Sequence, residues 1–138
     1  MRNPLLLDLV LYLQGLELIE EDGVDAFRDY APADPDDAVI INEYQGSTVP
    51  SYEQTISHRS VQVLARSKDP DKAYKKIWEI FRAFRTQETE EGGGAERIDF
   101  TEDRWGQVSL RQSPFRVMGD EAERIYFGFN MGITTQIE

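Results

Sequence analysis

The sequence predicts an α+β fold in which a mixed or antiparallel sheet of about five to six strands packs against two helices. Two observations supply the helices: an opening leucine-rich run over about 4–20, and an amphipathic stripe over about 70–86. A third supplies the sheet, because the remaining apolar stretches are short and largely alternate at period two. With 138 residues, one core and one domain spanning 1–138 are expected.

Asn3 as N-cap, Pro4 at the first helical position and apolar residues at Leu5, Leu9, Leu13 and Leu16 set out the first helix. The run resembles a secretory apolar segment, but Arg2 is a thin basic start, no small-residue cleavage pattern follows, and the run is too short to span a bilayer. Glu17, Glu20, Glu21 and Asp22 sit at its end, where the helix dipole disfavours negative charge. Either they form a solvated cluster, or a neighbouring subunit supplies the cations.

After Gly23, residues 24–30 read as a strand and Ala31-Pro32-Ala33-Asp34-Pro35-Asp36 as a turn-rich break. Residues 37–44 resume as a strand whose Val39-Ile40-Ile41 centre is apolar enough for both faces to be covered. Residues 46–57 are polar and broken by Pro50, a long excursion. Residues 58–67 then alternate, with Val61, Val63 and Ala65 on one face and Gln62 and Arg66 on the other, the pattern of a half-buried strand.

Asp69 as N-cap and Pro70 at the first helical position open the second helix, and Ala73, Ile77, Ile80, Phe81 and Phe84 make one apolar stripe. Tyr74, Trp78 and Phe81 lie on or beside it and read as core. Residues 86–96, with Gly92-Gly93-Gly94, have no apolar pattern and read as a mobile loop; at least one of this loop and the excursion before residue 58 is expected to order on docking to a partner. Strands follow near 97–101, 105–113 and 123–136. In the last, Ile125, Phe127, Phe129, Met131 and Ile133 alternate with Tyr126, Gly128, Asn130 and Gly132, which puts Tyr126 outward.

The chemistry is restricted by composition. Hydrophobic residues at 40% and charged residues at 30% are near globular averages. The absence of cysteine removes disulfides, thiolate nucleophiles and thiolate zinc sites. The balance of 26 acidic against 15 basic residues, net −11, argues against generic nucleic-acid binding. That charge is unevenly spread: residues 1–57 hold 12 acids and 2 bases, 58–86 hold 3 and 8, and 87–138 hold 11 and 5. A basic block between acidic ends is a pattern able to join like subunits.

No motif adds catalysis. The single histidine, His58, opens a strand and reads as a surface residue. The triglycine lacks the Lys-Ser/Thr of a phosphate-binding loop and follows no strand. Asp34, Asp36 and Asp37 fail as a calcium loop, because position 6 is Val39 and position 12 is Gln45, so they read as a turn. Asp120 with Glu121 and Glu123 is a grouping expected by abundance among 26 acids. No catalytic, cofactor-binding or metal-ligating residue is assigned.

Four segments carry a family resemblance: the leucine-rich opening, Ile40-Ile41-Asn42-Glu43-Tyr44-Gln45-Gly46, the block from Arg59 to Ser67 leading into Asp71-Lys72-Ala73-Tyr74, and the closing Gln112-Ser113-Pro114-Phe115-Arg116-Val117-Met118-Gly119-Asp120-Glu121 with Ala122 to Phe127. In order and spacing the chain resembles the small minor capsid or tail terminator proteins of tailed bacteriophages and prophages. The resemblance implies a structural virion protein that closes the head-proximal end of the tail tube as a hexameric ring, stops tube polymerisation and joins the head. It also implies self-association, contacts with the tail tube protein and a head-completion or connector protein, DNA passing through the ring without specific binding, no membrane and no cofactor. Assembly would take place in the bacterial host cytoplasm. Alternatives are another head–tail connector or head-completion subunit and, more remotely, a small enzyme or regulator with a concave site. Pro114 biases Ser113 toward extended backbone, and Gly119 is expected to permit a turn that Asp120 supports.

The charge layout nominates subunit-interface residues. The second helix, with Lys72, Lys75, Lys76, Arg82 and Arg85, is expected to face the acidic end of the first at Glu17, Glu20 and Glu21, within one subunit or between two.

Overall fold

The computed structural model describes residues 3–44, 56–85 and 97–136. The elements run α1 (Leu5–Gly15), β1 (Ala26–Arg28), β2 (Ala38–Tyr44), β3 (Ile56–Ser67), α2 (Pro70–Phe84), β4 (Ile98–Thr101), β5 (Arg104–Leu110), β6 (Phe115–Gly119) and β7 (Ile125–Gln136). The α+β class is as expected. The sheet is ordered β1-β2-β3-β7-β5-β4, with β6 paired to β7 on the side that β5 also uses. β1 and β2 are parallel and the other pairs antiparallel, so the sheet is mixed.

β3 and β7 are its spine, paired from Ile56↔Gln136 to Ser67↔Ile125. One face, carrying Val61, Val63, Ala65, Phe129, Met131 and Ile133, packs under both helices. α2 supplies the expected stripe, with Ala73, Ile77, Ile80, Phe81 and Phe84 all buried, and Asp69 caps it by accepting from the Asp71 N–H at 3.0 Å. Each large apolar side chain so buried contributes about 1.5–3 kcal/mol. Of the three aromatic residues read as core, Phe81 is buried, Trp78 half-buried and Tyr74 exposed.

α1 is shorter than expected. It stops at Gly15 because Glu17 takes a left-handed φ of 61°. The Glu17 N–H then reaches the Gln14 carbonyl and the Leu18 N–H the Leu13 carbonyl, the paired bonds of a Schellman ending. A glutamate in this position costs about 1–2 kcal/mol against glycine. Glu20 and Glu21 therefore lie in the following turn, clear of the dipole. At the other end Pro4 occupies the cap position, and Asn3 donates its side-chain amide to Asp8 Oδ1 at 3.1 Å instead of capping the helix.

The opposite sheet face holds a second, smaller core. Phe27, Ile40, Leu64 and Gly128 stand in register across β1, β2, β3 and β7, with Ala38, Arg66 and Tyr126 in the next row. Phe27, Ala38, Ile40, Leu64 and Tyr126 are buried there, with Val117 against them. Alternation assigned Arg66 and Tyr126 to an open face, but the chain between β1 and β2 folds across it: Arg66 is 2% exposed and Tyr126 4%. Gly128 leaves the space that Leu64 fills beside it, since a Cβ there would sit 2.6 Å from Leu64 Cδ2 and 2.8 Å from the Val63 carbonyl oxygen of the neighbouring strand.

Three other expectations shift. The strand placed over 24–30 shrinks to β1, because residues 23–25 form a turn. β6 is an added strand where a turn was expected, and Gly119 is its last residue without positive φ; the left-handed position falls on Glu123 at 61°. β3 begins at Ile56, inside the segment read as an excursion. The rest of that excursion and the glycine-rich loop fall on 45–55 and 86–96, outside the described residues.

Candidate interaction surface

The turn that follows α1 and the first half of α2 adjoin on one side of the subunit. After α1, the turn that carries Glu20 and Glu21 is organised by Asp25, whose carboxylate accepts from the Glu20 N–H at 2.9 and 3.0 Å and from the Glu21 N–H at 3.1 Å. From α2, Lys76 donates Nζ to the Leu18 carbonyl at 2.8 Å and lies 3.9 Å from Glu79. Lys72 lies 3.7 Å from Asp37. Among the described residues none of Lys72, Lys75 and Lys76 pairs with a carboxylate of Glu17, Glu20 or Glu21; the backbone makes the link. The result is a patch acidic at its turn and basic along the first half of α2.

Between these halves lies an open groove of about 290 Å³, lined by Asp25, Asp37, Arg66, Lys72, Lys75 and Lys76 among others. Charges of both signs bound it, and its lysines are exposed or half-exposed. Among the described residues no three His, Asp or Glu side chains are placed to hold a metal ion.

A buried polar network joins the β1–β2 connection to the sheet. Arg66 donates to the Pro32 carbonyl at 2.8 Å and the Pro35 carbonyl at 2.5 Å, and its guanidinium lies 5.8 Å from the Tyr126 ring centroid. Arg124 donates to the Ala33 carbonyl at 2.5 Å and to Asp120 Oδ2 at 2.8 Å. Asp120 also accepts from the Ala122 and Arg124 N–H groups and from the Tyr126 hydroxyl at 2.9 Å. Desolvation pushes the Asp120 carboxyl up, but the bonds from Arg124 and Tyr126 outweigh it, and the pKa lies below its ordinary value. A carboxyl lowered by folding contributes stability above its unfolded pKa, and that contribution fades as pH falls through the folded one. Asp120→Asn is therefore expected to lower the urea midpoint at pH 7 and to match the parent more closely at pH 3, with full coincidence at neutral pH as the contrary result.

The matched sequence pattern settles the relationship. The family described as Bacteriophage tail terminator protein matches residues 12–137, taking in the last turn of α1, all of α2 and every strand. The chain belongs to that family. Comparison with curated proteins finds no match.

As a tail terminator family member the chain is a structural component of the phage virion at the head–tail junction. The residues that sequence patterns singled out for chemistry have structural employment in this terminator fold. His58 is exposed, with Nδ1 2.8 Å from Thr134 Oγ1. Asp36 and Asp37 lie 3.7 Å from Lys68 and Lys72. Asp120 holds the turn into β7. What sequence reasoning missed is the set of buried charges. Arg104 is 1% exposed and Asp8 1%, joined Nε to Oδ2 at 2.6 Å, with Arg104 also donating to the Asn3 and Gln136 carbonyls and to Thr135 Oγ1. The only available signal was a lone aspartate inside Leu5-Leu6-Leu7-Asp8-Leu9, an expensive position unless paired.

Proposed function

We propose that the chain acts as a ring-forming tail terminator: about six subunits close head to tail at the head-proximal end of the tail tube, stop its polymerisation and present the surface that joins the head. Family membership across residues 12–137 carries this reading. The net charge of −11 supports a channel lined mainly by acidic side chains, since repulsion from phosphates suits a passage that admits DNA without holding it. Partners are further copies of the chain, the tail tube protein and a head-completion or connector protein. Isolated tail tubes are expected to bind the subunit more tightly than DNA-filled heads lacking tails; the reverse preference identifies a head-completion subunit instead.

Within this reading the patch formed by Glu17, Glu20 and Glu21 with Lys72, Lys75 and Lys76 is one contact face of the ring. Exposed pairs contribute about 0–1 kcal/mol each and are screened by salt. Reversing Lys75 and Lys76 together to glutamate is expected to cut ring yield several-fold at low salt, with parent and variant converging at high salt and an unchanged circular dichroism spectrum. Equal yields at both salt concentrations contradict it.

A further inference from the structure

A head-to-tail ring needs two different faces on each subunit, and the mixed-charge patch is only one of them. The second is indicated by the strand that sequence reading missed. β6 pairs with β7 along one side and, among the described residues, with no strand on the other. Edge strands of soluble proteins are normally blunted by charge or cover, because their free backbone groups template pairing with another chain. Here the edge instead presents Phe115 at 39% and Met118 at 48% exposure.

The charges around that edge mirror those of the patch. β6 itself carries the exposed Arg116 and no acid, and it is followed by the exposed Glu121 and Glu123, whereas Arg111 just before it reaches back over the sheet to Ser60 Oγ and the Tyr44 hydroxyl. Along the patch the signs run the other way, acidic in the turn and basic on α2. Apolar contacts are matched too, because Leu16 and Val24 flank the acidic turn at 47% and 48% exposure. β1, which follows that turn, and β6 stand at opposite edges of β1-β2-β3-β7-β6, four strand spacings or about 19 Å apart. Contacts between them therefore propagate from copy to copy.

Resting on the ring reading above, we propose that the outer edge of β6, with Phe115, Arg116 and Met118, docks on the acidic turn of a second copy of this chain around Leu16, Glu20 and Val24. Apolar side chains supply the contact, and Arg116 against the turn carboxylates fixes which copy face is accepted. This makes the interface heterologous.

The cysteine-free sequence permits a direct test. Full-length Met118→Cys and Val24→Cys variants are mixed, assembled on tail tubes, oxidised mildly and examined by non-reducing electrophoresis, with light scattering to follow assembly. The proposal expects a disulfide-linked Met118→Cys/Val24→Cys dimer, and a ladder of linked multimers from the double variant. Arg116→Glu is expected to abolish the cross-link, and Glu20→Arg in the partner copy to restore it at least in part. Assembly without any cross-link, or a Met118→Cys dimer formed with itself, overturns this interface and leaves the ring standing. Absence of assembly in parent and variants alike, alone and on tubes, overturns both.

Discussion

Asp8→Ala is expected to destabilise the fold by about 3–5 kcal/mol, the range for removing one partner of a buried pair. Both side chains are essentially inaccessible, at 0% for Arg104 and 2% for Asp8, so the substitution takes the Asp8 carboxylate away from a guanidinium that water cannot reach. The bonds from Arg104 to the Asn3 and Gln136 carbonyls and to Thr135 Oγ1 are to neutral acceptors. Against a total stability of about 5–15 kcal/mol this is a large loss, a fall in Tm of about 10–20 °C. Replacing the pair together, Asp8→Leu with Arg104→Met, is expected to recover most of it, because the desolvation cost of both charges vanishes with them. Thermal and urea unfolding of the three variants check this, and an Asp8→Ala protein within about 1 kcal/mol of the parent contradicts it.

The second large effect belongs to Arg66. Arg66→Leu keeps apolar bulk in the back-face core but leaves the Pro32 and Pro35 carbonyls without their donor, at a cost of about 2–4 kcal/mol. The loss is local before it is global: amides of residues 29–37 and of β2 are expected to exchange faster with solvent, with α2 unaffected at first. Arg66→Lys restores only part, because one ammonium cannot reproduce a planar fork that reaches two carbonyls while lying over Tyr126. Native-state hydrogen exchange distinguishes these outcomes. Parent-like protection in the leucine variant contradicts the role assigned to Arg66.

What the sequence disclosed follows from how each element is stabilised. α2 was legible to within about two residues because its stripe, N-cap and Pro70 all act within the helix itself. β3 and β7 were legible because their alternation matches the pleat. α1 was overextended because Leu16, Leu18 and Ile19 continue the apolar content past a stop made by the left-handed backbone of Glu17, which no residue type there advertises. β6 was invisible: only Val117 turns inward, and Phe115 and Met118 are exposed, so no alternation marks it. Alternation also assigns faces without saying which faces are covered. Tyr126 and Arg66 were placed outward for that reason, although a proline-rich connection nine residues long roofs them. Of the interaction surface, the residue types and the charge segregation were readable. That the acidic turn and the lysines adjoin on one subunit, linked by Lys76 to the Leu18 carbonyl, depends on the packing of α1 against α2.

The central claim is assembly into a closed ring, and the mass of the particle tests it most directly. Multi-angle light scattering of the purified chain over a range of concentration and salt, repeated in the presence of isolated tail tubes, is expected to show a discrete species near six times the 15.9 kDa subunit. Mutual repulsion at net −11 makes that species favoured by salt, by high concentration or by the tube as template. A strict monomer in both settings, or tight binding of duplex DNA at physiological salt, contradicts the account.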